Sequence, residues 1–133
     1  MPEQLEALQQ SAQITVEQTR AWFEQAASSA TRDDFAKKGG LKDDGTGAVY
    51  AYFNSQGLCL YVGQTGRTVK ARQHDQTSPH KKKEWWPEWT ELKFVQQSQE
   101  SQRLLLEILL IQAHRPKHNV KPEFFEITEW LSK

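Results

Sequence analysis

The sequence predicts an α+β fold in which a small three-stranded antiparallel sheet is flanked by helices. Three observations carry the prediction. Two short strand-forming runs, residues 48–53 and 58–63, face each other across Asn54-Ser55-Gln56-Gly57, a turn-forming tetrapeptide. A third run, residues 89–96, alternates Leu92, Phe94 and Gln96 with Glu91, Lys93 and Val95. Helix-forming stretches lie on both sides of these runs, and 133 residues suffice for one domain.

The first 36 residues are rich in Gln, Ala and Glu and hold proline only at position 2, so they predict one or two helices. Val16, Trp22, Phe23, Ala26 and Ala27 supply apolar positions there. Lys37-Lys38-Gly39-Gly40 and Asp43-Asp44-Gly45-Thr46-Gly47 then break the pattern, which makes residues 1–40 an N-terminal helical extension. If all four turn residues are loop, an unbroken hairpin ladder sets Phe53 opposite Leu58, Ala51 opposite Leu60, Tyr50 opposite Tyr61 and Val49 opposite Val62. Val49, Ala51, Phe53, Leu58, Leu60 and Val62 then form one face, and Tyr50, Tyr52, Cys59 and Tyr61 the other. A short helix is expected over residues 68–75 and a loop over 77–87. Ser98 is the expected N-cap of the strongest helix, which runs to about His114 and stops at Pro116. Its middle is apolar on nearly every side, so it should be the central buried helix. Residues 121–133 predict a last helix, 122–131, packing Phe124, Phe125, Ile127, Trp130 and Leu131 onto the domain.

Composition narrows the function. Cys59 is the only cysteine, which excludes an intrachain disulfide and a cysteine-rich zinc site and suits a reducing compartment. No apolar run approaches a membrane span, and the first 13 residues lack a secretory signal pattern, so the expected setting is cytoplasmic. The net charge of zero gives no global attraction for phosphate, yet its distribution is uneven. Residues 63–83 carry Arg67, Lys70, Arg72, Lys81, Lys82 and Lys83 against Asp75, a net +5, while residues 1–36 carry a net −4. A basic patch on a neutral protein is compatible with a phosphate-facing site.

Glu107 is a lone carboxylate inside the apolar run Leu104-Leu105-Leu106-Glu107-Ile108-Leu109-Leu110-Ile111, where desolvation is costly unless something compensates it. Its position admits two partners: Arg103, one turn earlier, or a divalent cation. Around it, Ala48-Val49-Tyr50, then Tyr61-Val62-Gly63 eleven residues from tyrosine to tyrosine, Gln64-Thr65, Arg72, and finally Pro116-Lys117-His118-Asn119 follow in order. Together with the glutamate helix, these pieces resemble the GIY-YIG nuclease family over residues 47–120. That family's small three-stranded sheet with flanking helices coincides with the fold read from the residues.

The resemblance implies a divalent-metal-dependent endonuclease acting on DNA, branched or single-stranded forms included, with weak sequence specificity. It implies one magnesium or manganese ion on Glu107. Tyr50 would deprotonate or orient the attacking water, Tyr61 would bind the phosphate or support Tyr50, Arg72 would neutralise developing charge, and Asn119 would hold the site together. Two departures stand out: Ala48 replaces a family glycine, and Gln76 occupies a position where relatives often carry histidine or tyrosine. His74, about 200° around a helix from Arg72, joins the site only on a short or distorted turn; otherwise proton chemistry rests on Tyr50. Arg67, Lys70, Lys81, Lys82, Lys83, Trp85 and Trp86 are candidate nucleic-acid contacts, although such lysines also serve as solvated loops and such tryptophans as core edges. The two tyrosines could equally be strand aromatics with wet hydroxyls. An alternative function is a non-catalytic nucleic-acid- or protein-binding module on the same scaffold, and the N-terminal helices could pair two protomers or meet a protein partner.

Overall fold

The computed structural model describes residues 2–36, 46–66 and 83–119, with Pro2, Phe35 and Ala36 by their backbone only. The short helix expected over 68–75, the C-terminal helix over 122–131 and most of the turn-rich boundary at 37–47 lie outside the described residues.

The polar, alanine-rich start forms α1, Pro2–Ala26, as its composition requires. Two helices form over the first 36 residues, as expected, but a strand separates them. Ser28–Thr31 is a strand, β1, followed by the single-turn α2, Arg32–Ala36. The sheet therefore has four strands rather than the expected three: β1, then β2 (Ala48–Asn54), β3 (Cys59–Thr65) and β4 (Trp89–Gln96). Their spatial order is β1-β4-β2-β3, and every neighbouring pair is antiparallel. Four residues with one alanine carry no periodicity of their own; the ladder Ser28↔Phe94 to Thr31↔Glu91, reinforced by Ser29 Oγ donating to Glu91 at 2.6 Å, selects the strand.

The hairpin turn forms where the sequence places it. Asn54 Oδ1 accepts from the Gln56 and Leu58 amides at 3.0 and 2.9 Å, while Gly57, at φ 80°, takes the left-handed conformation that favours glycine. The expected register is not observed. The ladder starts one residue later, at Phe53↔Cys59, and a bulge between that pair and Tyr52↔Tyr61 leaves Leu60 without an opposite residue; together the two shifts set Tyr50 across from Gly63 and Ala51 across from Val62. Cys59 thereby joins the face of Val49, Ala51, Phe53 and Val62, and Leu60 moves to the face of Tyr50 and Tyr52.

Each face is covered differently. Over the first packs α3, Glu100–His114, through Leu106, Leu110 and Ile111, with Phe23 of α1 beside them. Only this side of α3 is buried; Leu104, Leu105 and Ile108 are 44–56% exposed, which corrects the expectation of a helix buried all round. Gln99, not Ser98, is its N-cap residue, and its end is set by Arg115, which adopts φ 51° and donates its amide to Ile111 O at 2.9 Å before Pro116. The other face carries Tyr50, Tyr52, Leu60, Leu92 and Phe94, closed by Trp85 and Trp89 at the ends of a 3-10 turn, Trp86–Glu88. Among the described residues no helix is long and apolar enough to cross a membrane.

Candidate active site

Tyr50 and Tyr61 share one face of the ribbon without being directly opposed; Tyr52 is the residue across from Tyr61. Their rings stack at 6.4 Å between centroids, and Tyr61 stacks in turn on Trp85 at 5.3 Å with planes 13° apart. Gly63 is the seat of this arrangement: a Cβ there would stand 2.6 Å from Tyr50 Oη and 2.9 Å from Tyr61 Cε1. Tyr50 is only 1% exposed, whereas Tyr61 is half-buried. One phenol is thus fixed inside the fold, and its neighbour keeps contact with solvent.

Asn119 is tied to the same strand. Its side-chain Oδ1 accepts from the Val62 amide and its Nδ2 donates to the Val62 carbonyl, both at 2.7 Å. Lys117 and His118 donate their amides to Cys59 O and Leu60 O, so residues 117–119 run along the outer edge of β3. The asparagine amide acts there as one more peptide unit of the ladder.

Arg103 and Glu107 occupy one stripe of α3, four residues apart, but they are not partners. The Arg103 guanidinium, 7% exposed, donates to Gln64 Oε1 at 3.1 Å and to the carbonyls of Gln97 and Ser98 at 3.0 and 2.9 Å. It fills the space left by Gly47 and Gly66, where added side chains would lie 2.6 and 3.3 Å from its nitrogens. Glu107 is half-buried, and burial alone pushes its carboxyl above the usual range. No cation and no hydrogen-bond donor meets it among the described residues. In place of the ion pair that sequence spacing allowed stand a clamp of Arg103 on Gln64 and two main-chain carbonyls and an acid that no described residue compensates.

The structure thus brings Tyr50, Tyr61 and Asn119 together on β2 and β3, and it sets Glu107 on the stripe of α3 that meets β3 at Gln64 through Arg103. The phenol face and the α3 face are opposite sides of the sheet, and β3 is its outermost strand on this side. Arg67, Lys70, Arg72, His74, Lys81 and Lys82 lie outside the described residues. Lys83 is exposed. Trp85, 2% exposed, stacked on Tyr61 and tilted against Tyr52, is a core residue rather than a platform for bases. Trp86 is half-buried among Tyr52, Trp85 and Trp89, which engages much of its ring.

Sequence reasoning named Arg103 and Gln64 but missed that they pair with each other. Arg103 was visible as a cation bordering the apolar run, but its acceptors, two carbonyls and an amide oxygen, have no sequence signature. No group of three or more histidine, cysteine or acidic side chains suited to a metal occurs among the described residues.

Comparison with known families matches residues 46–120 to the UvrC-like GIY-YIG domain. Comparisons with curated proteins and with solved structures give no match. Since the matched span covers more than half of the chain and takes in every strand but β1, the chain belongs to the family of UvrC-like GIY-YIG domains.

Proposed function

We propose that the chain is a cytoplasmic, divalent-metal-dependent endonuclease that hydrolyses phosphodiester bonds in DNA, selecting structure or reading sequence only weakly. Glu107 carries this reading: a half-buried carboxyl, with its neighbouring arginine engaged elsewhere and no donor on it among the described residues, suits a cation. A single carboxylate with no histidine or cysteine cluster beside it among the described residues suits magnesium or manganese, hard ions that keep waters and share substrate phosphate oxygens. Bound there, such an ion supplies Lewis-acid stabilisation of phosphate charge and a more acidic water.

The chain's own residues do the rest. Tyr50, pinned over Gly63, has little freedom to turn, which suits a group that orients or deprotonates a water. Tyr61, with exposed surface beside it, binds the phosphate or supports Tyr50. Arg72 neutralises charge as the transition state forms, and His74 is a second proton carrier if its turn brings it close. Asn119 holds the β3 edge against the segment that follows α3. The lysines at 81–83 with Arg67 and Lys70 steer the DNA backbone.

The test is incubation of the purified chain with branched, single-stranded and duplex DNA, with and without manganese, beside Glu107→Ala and Tyr50→Phe. Metal-dependent cleavage that both variants reduce to background is the expected result. Salt-sensitive DNA binding by the wild type with no cleavage would establish the non-catalytic binding module instead.

A further inference from the structure

We infer that Arg32, upstream of the family's span, is a positioning residue for the Tyr50–Tyr61 pair, so that the catalytic unit begins at β1. The inference rests on the proposed nuclease reading for its functional half and on ring geometry for the rest.

Arg32 Nη1 donates to the carbonyls of Trp86 and Trp89 at 2.7 and 2.8 Å, gathering both ends of the 3-10 turn onto one nitrogen. The guanidinium also lies over both indoles, 4.6 Å from the Trp89 ring and 5.5 Å from that of Trp86. No carboxylate meets it among the described residues; it is held by main chain and π faces.

From these indoles two lines of rings reach the phenols. Trp89 contacts Tyr52 at 5.0 Å, and Tyr52 contacts Tyr50 edge-on at 5.9 Å. Trp86 contacts Trp85 at 6.0 Å, and Trp85 stacks on Tyr61 at 5.3 Å. A planar fork that both donates and stacks suits this place, and lysine or glutamine reproduces only part of it. Because closely packed rings move together, releasing the turn transmits to both phenols. The β1–β4 ladder brings Arg32 to this place, for Thr31 pairs with Glu91, two residues beyond Trp89.

The experiment compares Arg32→Gln, Arg32→Lys and the control Ser29→Ala, which removes the contact to Glu91 from the adjoining strand β1. Near-ultraviolet circular dichroism reads the ring cluster without needing activity. Cleavage kinetics read kcat and the half-saturating manganese concentration separately. We expect Arg32→Gln to lose much of the near-ultraviolet signal while keeping the far-ultraviolet spectrum, and to lower kcat roughly tenfold, as displaced catalytic groups do. Its manganese half-saturation should stay within about twofold of wild type, because Glu107 is not part of the ring cluster. Arg32→Lys should restore part of both losses, and Ser29→Ala should match wild type. An Arg32→Gln spectrum and kcat equal to wild type would overturn the inference. So would an equal loss in Ser29→Ala, or a manganese requirement rising in step with the loss of kcat. If Arg32→Gln does not fold, Arg32→Lys is judged by the same criteria. A wild type that cleaves nothing removes the nuclease reading alone, and the near-ultraviolet comparison then decides whether Arg32 sets the rings.

Discussion

At Gly63 a single hydrogen leaves room for the Tyr50 ring. The ladder places the two residues opposite each other, and any side chain at Gly63 would collide with the phenol at 2.6 Å. Gly63→Ala therefore displaces Tyr50 instead of merely crowding a core. A displacement of that kind should lower cleavage on the order of 100-fold and stability by about 1–3 kcal/mol, read in single-turnover assays and urea titrations. A variant as active as wild type would show that the phenol's place is immaterial. The residue types at the site were legible: two tyrosines, a glycine and a lone acid in an apolar helix point to chemistry by identity and spacing. What each side chain touches was not. Arg103 could be read as the partner of Glu107 because helical spacing is the only neighbour relation a sequence displays, whereas its real acceptors at Gln64, Gln97 and Ser98 depend on how α3 meets the strands.

Among elements, the edge of β3 shows how one side chain can extend a sheet. Asn119 supplies both a donor and an acceptor to Val62, so Asn119→Asp keeps the bond to the Val62 amide but faces its carbonyl with a group that cannot donate. Urea unfolding should show a loss of about 1–2 kcal/mol for Asn119→Asp and a similar loss for Asn119→Ala. The strands β2, β3 and β4 could be read from alternation and turn chemistry, and β4 matches its expected limits of residues 89–96. Two features could not. The bulge that exchanges Cys59 and Leu60 comes from how the two strands meet after the turn, and no residue type announces it. β1 has no apolar alternation and exists because β4 offers it a row of hydrogen-bonding groups.

For the molecule as a whole, His114 is the point where α1, α3, the hairpin and β4 meet. Its ring packs edge-on against Phe23 and Phe53 at 5.5 and 5.6 Å, and its Nδ1 lies 3.3 Å from Leu110 O. Burial holds its pKa below the ordinary 6.5; the Leu110 carbonyl and Glu24 oppose that shift, while Arg20 and Lys93 add to it. A depressed folded-state pKa means that the unfolded chain takes up the proton first as pH falls. The associated stability is complete above pH 6.5 and is lost as pH drops from there through the folded-state value. The urea midpoint should decline across that window in the wild type and remain level in His114→Gln. Glu24, held low chiefly by its bond to Lys93, adds a separate decline at more acid pH.

The strand order β1-β4-β2-β3 has a practical consequence. Among the described residues, one flank of β4 is occupied by the short Ser28–Thr31 segment alone, which the family boundary at residue 46 excludes. Trimming the chain to that boundary would strip the flank and leave an eight-residue strand with open peptide groups, ready to zip onto a second copy. β1 thus covers the flank of β4, and a fragment that starts at residue 46 should aggregate more readily than the 133-residue chain, as size-exclusion chromatography would read.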